Sequence, residues 1–350
     1  VYFLPIVLST LGVFPTESPL YGRLSGNVLP AALFLLLVGA PVNSILKLGP
    51  KALLAMVLGA VTMAVGVIVS FLTVGKFLPE EGWKMAGALL ATWVGGSANM
   101  LAVKEVLGLS DKGLGPLIVT DTFFSYGWMA VLLLGAGLQK YFDRGMPAAA
   151  ADINNGPSPS GPDKKTMLKD PFLKILFVLS VGMIFGILAA GGGNFLSMKA
   201  PALSGLGWAV LLASSITVLL ALTPLQRLEE YGASQVGVFL LYIVLATMGA
   251  KTTLKFDSAL LAIFIFAFLV LLVHGILLLI SGRLLQIPLF LLATSSQANV
   301  GGVVSAPIVA GVYKPGTAHL AVLMAIMGAL VGTYTGILGG YICAFILRFM

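Results

Sequence analysis

Charge is what this chain has least of. Asp, Glu, Lys and Arg together make up 9% of 350 residues, against 59% hydrophobic residues. A soluble globular protein carries about 25% charged residues, so water cannot solvate most of this surface and lipid must cover it. Cysteine and histidine are nearly missing too: the chain has one Cys, Cys343, and two His. A single Cys excludes an intrachain disulfide and any Cys-rich metal site. Two His leave haem, zinc and iron–sulfur centres without a ligand set. No nucleotide-binding glycine loop and no Ser/His/Asp set is visible, so neither an enzyme nor a cofactor is expected. The formal net charge of +7 lies between apolar runs, where it reads as loop charge that sets topology. Nucleic acid is not an expected partner.

Long apolar runs fill the space that charge leaves. Eleven segments stand out, roughly 1–14, 27–46, 52–74, 85–107, 114–139, 172–190, 206–222, 235–250, 259–285, 288–312 and 318–347. A helix that crosses a bilayer needs about 20 mainly apolar residues, and membrane barrels show short alternating segments instead. The expected fold is therefore an all-α, polytopic membrane protein with about 11 transmembrane helices. The first run is too short to span, and an upstream helix before Val1 is expected from it. The stretch from Lys140 to Asp170 differs from every other connection. It contains Ala148–Ala151 and then Asn154, Asn155, Gly156, Pro157, Ser158, Pro159, Ser160, Gly161 and Pro162, a flexible composition. Lys140, Arg144, Lys164, Lys165, Lys169 and Lys174 surround it, which places it on the cytoplasmic or stromal side.

The two sides of that linker echo each other. Ser18-Pro19-Leu20 returns as Thr223-Pro224-Leu225, Gly39-Ala40 as Gly249-Ala250, and Leu46-Lys47 as Leu254-Lys255. The run Ala52–Ala55 returns at Ala259–Ala262, Leu89–Thr92 at Leu291–Thr294, and Ala98-Asn99 at Ala298-Asn299. The echoes keep one order, which reads as an internal repeat. The expected organisation is a first transmembrane repeat at 1–140, a polar linker at 141–171, a connecting helix and loop at 172–204, and a second repeat at 205–350. Internal repeats mark many transporters; a duplication without transport is the plain alternative. Six crossings separate equivalent helices in this count, which makes the repeats parallel, whereas an inverted pair needs an odd number.

The paired fourth and tenth segments carry the chemistry. One reads Ala91-Thr92-Trp93-Val94-Gly95-Gly96-Ser97-Ala98-Asn99-Met100 and the other Ala293-Thr294-Ser295-Ser296-Gln297-Ala298-Asn299-Val300-Gly301-Gly302. Glycine weakens a helix, and unwound backbone at membrane depth persists only where protein or a water-filled cavity surrounds it. Freed carbonyls hold cations and half-helix N-termini hold anions. Thr92, Ser97, Asn99, Thr294, Ser296, Gln297 and Asn299 are thus candidate substrate- or ion-binding residues, with Na+ as the one metal ion in view. Small-residue helix packing is the alternative. Both segments are expected to be interrupted helices that meet.

Acids are few, and only Glu105 and Asp121 look embedded. Asp121 lies among Thr120, Thr122 and Ser125. A carboxylate inside a membrane is usually functional, so Asp121 is a candidate for Na+ binding or proton carriage, against a helix-end acid. Glu105 beside Lys104 is a candidate proton relay or an interfacial charge pair. His274 in the ninth segment is a candidate relay or a helix–helix hydrogen-bond partner. Thr333, Tyr334 and Thr335 read as packing or lining.

Gly95-Gly96-Ser97-Ala98-Asn99 with Ala102-Val103 and Glu105 resembles the Gly-Gly-Ser-x-Asn stretch of the YjcL-like family, domain of unknown function 819. So do Thr294–Gly302 with Ser305-Ala306-Pro307, Val273-His274-Gly275, and Pro15-Thr16-Glu17-Ser18-Pro19. The resemblance covers nearly the whole chain, and members occur in bacteria and plant plastids. That family is often grouped with the sodium–bile acid symporter and cation–proton antiporter superfamily. The grouping implies two inverted repeats with crossed, broken helices, against the parity counted above. It implies ion- or substrate-site roles for Ser97, Asn99, Gln297, Asn299 and Asp121. One departure stands out: Ala40 is followed by Pro41, Val42 and Asn43, where many relatives have an Ala-Asp pair.

The functional expectation is a secondary transporter of a small solute, an organic anion, coupled to Na+ or H+, in a bacterial inner membrane or a plastid membrane. The alternative is a non-transporting subunit of a larger membrane complex. Expected partners are the lipid bilayer and a small-molecule substrate, with a homodimer or larger complex left open.

Overall fold

The computed structural model describes residues 3–146, 170–251 and 258–350. Among the described residues every regular element is helical. In chain order the α-helices are α1 (Phe3–Thr10), α2 (Pro19–Val38), α3 (Val42–Leu46), α4 (Pro50–Val74), α5 (Gly82–Gly95), α6 (Ser97–Leu107), α7 (Asp111–Gly135), α8 (Gln139–Phe142), α9 (Pro171–Lys199), α10 (Gly205–Leu220), α11 (Ala233–Ala250), α12 (Ser258–Leu284), α13 (Leu289–Val300), α14 (Gly302–Tyr313) and α15 (Ala318–Leu347). The chain is a polytopic α-helical membrane protein.

Each of the eleven apolar segments falls on an element, but not each on one unbroken helix. Among the described residues seven helical stretches are long and apolar enough to cross a membrane: Pro19–Val38, Pro50–Phe77, Asp111–Phe142, Pro171–Lys199, Ala233–Ala250, Ser258–Leu284 and Ala318–Leu347. An eighth crossing exists if α10 and the 3-10 turn Pro224–Tyr231, bent by 101° from it, act as one span. The fourth and tenth segments are the broken pairs α5–α6 and α13–α14, and the first is the short α1. The parity of the expected repeats turns on α10: counted as a crossing it leaves six steps from α2 to α11, and as a re-entrant element five. Residues 147–169 of the expected linker, and the Leu254-Lys255 echo, lie outside the described residues.

Local chemistry explains several boundaries. The second segment starts earlier than its apolar run because Ser18 caps α2, accepting from the Leu20 amide at 3.3 Å, and Pro19 occupies the first turn, where proline is at home. It stops at Val38, and Val42–Leu46 forms the separate α3. Thr223 caps the 3-10 turn in the same way, accepting from the Leu225 amide at 3.3 Å ahead of Pro224. Asp170 caps α9 through the amides of Phe172 and Leu173 at 2.7 and 3.3 Å.

The described chain forms two compact units that cut across sequence order: Val1–Pro41, Leu101–Val119 and Pro162–Asp257 in one, Val42–Met100, Thr120–Gly161 and Ser258–Met350 in the other. In the first, α2 packs on α9, α10 and α11. Small residues let the backbones close: a Cβ on Gly186 of α9 would lie 2.8 Å from the Ala31 Cβ, and one on Gly182 would lie 2.6 Å from Leu35. Phe34 stacks on Phe185 with ring centroids 4.1 Å apart.

In the second unit, α5 lies along α15 and α4 along α12, and α13 touches α4, α5 and α15. A glycine seam sets the α5–α15 approach. A Cβ on Gly332 would sit 2.8 Å from the Gly95 Cα, and one on Gly328 would strike the Val94 carbonyl. Close packing through small residues is how helices associate where lipid removes the hydrophobic drive. Phe71 and Phe266 meet edge to face at 6.4 Å between α4 and α12. Apolar side chains such as Val61, Phe268 and Leu338 stay exposed, as a lipid-covered surface requires.

Candidate functional site

The candidate site is built within the second unit, with Glu105 alone lying outside it. The helix α5 ends at Gly95, and Gly96 takes φ +91° and ψ 175° before α6 begins at Ser97. That conformation belongs to glycine. The side chain of Asn99 closes the gap. Its Nδ2 donates to the Gly95 carbonyl at 2.8 Å and to the Ala329 carbonyl of α15 at 3.1 Å, and its Oδ1 accepts from the Thr333 hydroxyl at 2.5 Å. Asn99 is buried, and Ser97 is half-buried.

The second interruption lies later than the polar run itself. Thr294 to Asn299 are all helical in α13, and the break falls at Gly301 and Gly302, the latter at φ +65°. Thr294 and Ser295 donate back to the carbonyls of Phe290 and Leu292 at 2.6 and 2.9 Å. Gln297 reaches past the break, its Nε2 donating to the Ser305 hydroxyl of α14 at 2.8 Å. Its Oε1, and both Oδ1 and Nδ2 of Asn299, are buried without a hydrogen-bond partner among the described residues.

Asp121 points inward. It is buried, and its Oδ1 accepts from the Trp93 indole at 2.9 Å and from the Ser125 hydroxyl at 3.2 Å. Thr92 hydrogen-bonds the same carboxyl. Ser125 also lies 3.1 Å from the Val300 carbonyl, at the last residue of α13. One embedded acid thus touches the last turns of α5 and reaches the end of α13 through a single hydroxyl.

His274 is fully buried in α12. Trp128 Nε1 donates to the Ser296 hydroxyl at 2.8 Å, Ser296 lies 2.8 Å from His274 Nε2, and Thr62 lies 2.9 Å from Nδ1. The Thr62 hydroxyl reaches the Leu58 carbonyl at 2.7 Å. With a neutral imidazole one assignment satisfies every contact: Trp128 donates to Ser296, Ser296 to Nε2, Nδ1–H to Thr62, and Thr62 to Leu58. Glu105 belongs to the other unit. It pairs with Lys104 at 2.8 Å, while Asp111 takes Lys104 at 3.1 Å and Lys251 at 3.3 Å.

The family described as Protein of unknown function (DUF819) matches residues 1–346. The chain belongs to the DUF819 family. Among curated proteins it is similar to the uncharacterized membrane protein YjcL of Bacillus subtilis (strain 168), at 28% identity over 357 aligned positions that cover 97% of this chain and 88% of that protein.

For this DUF819 chain, the structure brings Thr92, Asp121, Ser296 and His274 into hydrogen-bonded groups with Ser125, named above beside Asp121, and with three residues not singled out from the sequence: Trp93, Trp128 and Thr62. Two signals were available for them. Asp121 and Ser125 stand four apart, on one helix face, and a buried indole N–H requires an acceptor. Thr333, read as packing or lining, is the hydroxyl that binds Asn99.

Proposed function

We propose that this chain is a secondary active transporter of a small solute, an organic anion, coupled to Na+ or H+, with the α5–α6 and α13–α14 breaks as its site. The observation that carries the reading is Asp121. A buried carboxyl inside a membrane helix is expensive and marks ion or proton pathways. Here it binds Trp93 and Thr92, which lie within a turn of one break, and reaches Val300 at the other through Ser125. The hydroxyl oxygens of Ser125 and Thr92 beside it suit a hard monovalent cation, while the Trp93 N–H steadies the carboxylate by donating to it. The order of long helix, broken pair and long helix on both sides of the linker, with matching caps at Ser18 and Thr223, supports a repeat architecture of the kind transporters use. Inverted repeats, a bacterial inner or plastid membrane, and function without an enzymatic step or a cofactor beyond Na+ belong to the same reading.

One observation favours a second reading, a non-transporting subunit of a membrane complex. A crevice of about 180 Å³ between α4 and α15, lined by Met56, Ala60, Met327, Gly328 and Val331, is apolar and suits a lipid tail or a partner helix better than a solute. The deciding experiment is uptake into proteoliposomes, together with thermal stability in detergent against Na+, pH and organic acids. A transporter gains stability from its coupling ion and moves solute down an imposed Na+ or H+ gradient. A protein indifferent to Na+ and pH in both measurements is the subunit.

A further inference from the structure

The paired asparagines are built alike in sequence and finished differently in structure. Asn99 has all its polar atoms engaged, with Gly95, Ala329 and Thr333. Asn299 is 0% exposed, and among the described residues neither its Oδ1 nor its Nδ2 has a hydrogen-bond partner. Burying an unpaired amide is costly, and folded proteins leave few such groups unexplained. Resting on the transporter reading above, but replacing its organic anion with a head group that is neutral where it binds, we propose that Asn299 is the ligand-contacting residue and Asn99 a structural clamp. We further propose that the ligand presents a hydrogen-bond donor and an acceptor side by side, as a protonated carboxyl group or a primary carboxamide does.

The ligand chemistry follows from what is left over. A primary amide offers one acceptor and two N–H donors on adjacent atoms. A lone cation would engage Oδ1 and leave Nδ2 unpaired. A bare carboxylate would engage Nδ2 and set its second oxygen against the lone pairs of Oδ1. A carboxylic acid or carboxamide closes two parallel hydrogen bonds at once. The side of Asn299 that faces α4 is uncharged: a Cβ on Gly59 of α4 would strike Asn299 Nδ2 and lie 3.6 Å from the Ser295 hydroxyl, one helical turn before Asn299. A buried neutral setting accepts a neutral head group and penalises an isolated ion. Two residues earlier, the unpartnered Gln297 Oε1 is a further acceptor on the same helix end.

The test uses the purified full-length protein in detergent and reads its melting temperature. Asn299→Leu should leave it unchanged or raise it, since two unpaired polar groups disappear. Asn99→Leu and the milder Thr333→Val should lower it. Short straight-chain carboxylic acids at acid pH, and the matching carboxamides at any pH, should raise the melting temperature of the wild type and of Thr333→Val but not of Asn299→Leu. The two ligand series tell an acid from an amide by their pH dependence. A fall in Asn299→Leu as large as in Asn99→Leu overturns the proposal, because Asn299 would then be structural or hold only a buried water. An undiminished ligand response in Asn299→Leu overturns it too. So does a response confined to carboxylates with Na+ at alkaline pH, which would make the ligand an ion pair. A wild type that answers to Na+ or pH, yet to no acid or amide, overturns the proposal and keeps the transporter reading. One that answers to nothing removes both.

Discussion

Around Gly96 the chain closes on itself: Asn99 ties the end of α5 to α15, and Thr333 completes the amide. Around Gly301 it stays open, with Asn299 and Gln297 holding polar atoms that no described residue answers. The same residue types therefore make one joint that is finished by the fold and another that is not. Glycine content cannot tell them apart, since both places carry a Gly pair. What separates them is the neighbour. Thr333 of α15 offers a hydroxyl to Asn99, whereas Asn299 lies against Gly59, which has no side chain to offer.

That contrast can be broken most severely at the glycine seam. Gly328→Val forces a side chain into the Val94 carbonyl, and overpacking of this kind costs about 3 kcal/mol. Thermal unfolding in detergent should show a larger loss for it than for any substitution at Asn99, Gly59 or Asp121. Asn99→Leu removes three hydrogen bonds and strands the Thr333 hydroxyl, a loss of about 2 kcal/mol by the same measurement. A loss equal to that of Asn299→Leu would erase the distinction between the joints. Gly59→Ala pushes on the Asn299 amide, the end of a side chain that can swing, and should cost only about 1 kcal/mol. It should weaken ligand-induced stabilisation out of proportion to that loss. Asp121→Asn keeps an acceptor for Trp93 and should change stability by about 0.5 kcal/mol. It should nevertheless remove most of the ion or pH dependence of proteoliposome uptake, and unchanged dependence on both would show that Asp121 is structural.

Much of the fold was legible in composition and segment length, because lipid imposes a length on every helix that crosses it. Among the described residues seven of the eleven segments lie on a helix of spanning length for that reason. Helix ends were less legible. The apolar run that begins near residue 27 hides a helix that starts at Pro19, since capping by Ser18 carries the helix through polar residues that hydropathy discounts. The bend after α10 was not visible, because the chain there stays apolar up to Leu222. At the candidate site, the polar interruptions and Asp121 could be read directly, since polar residues are rare in this chain. Their partners could not. Nothing in the order of residues says that Trp93 turns its indole toward Asp121, that Trp128 finds Ser296, or that Thr333 rather than a ligand completes Asn99. Those are matters of which faces meet, and sequence spacing fixes a face only within one helix.

The hydrogen-bonded row through His274 has a consequence of its own. It begins at an indole N–H, which can give a hydrogen bond but never receive a proton, and it ends at the Leu58 backbone carbonyl, which passes nothing on. A proton wire must be able to reverse every link, and this one is stopped at both terminals. The buried imidazole works as a strut that holds α4, α12 and α13 in register through Thr62 and Ser296. Replacing it with glutamine should loosen that register, seen as a lower melting temperature, and leave the pH dependence of transport where it was.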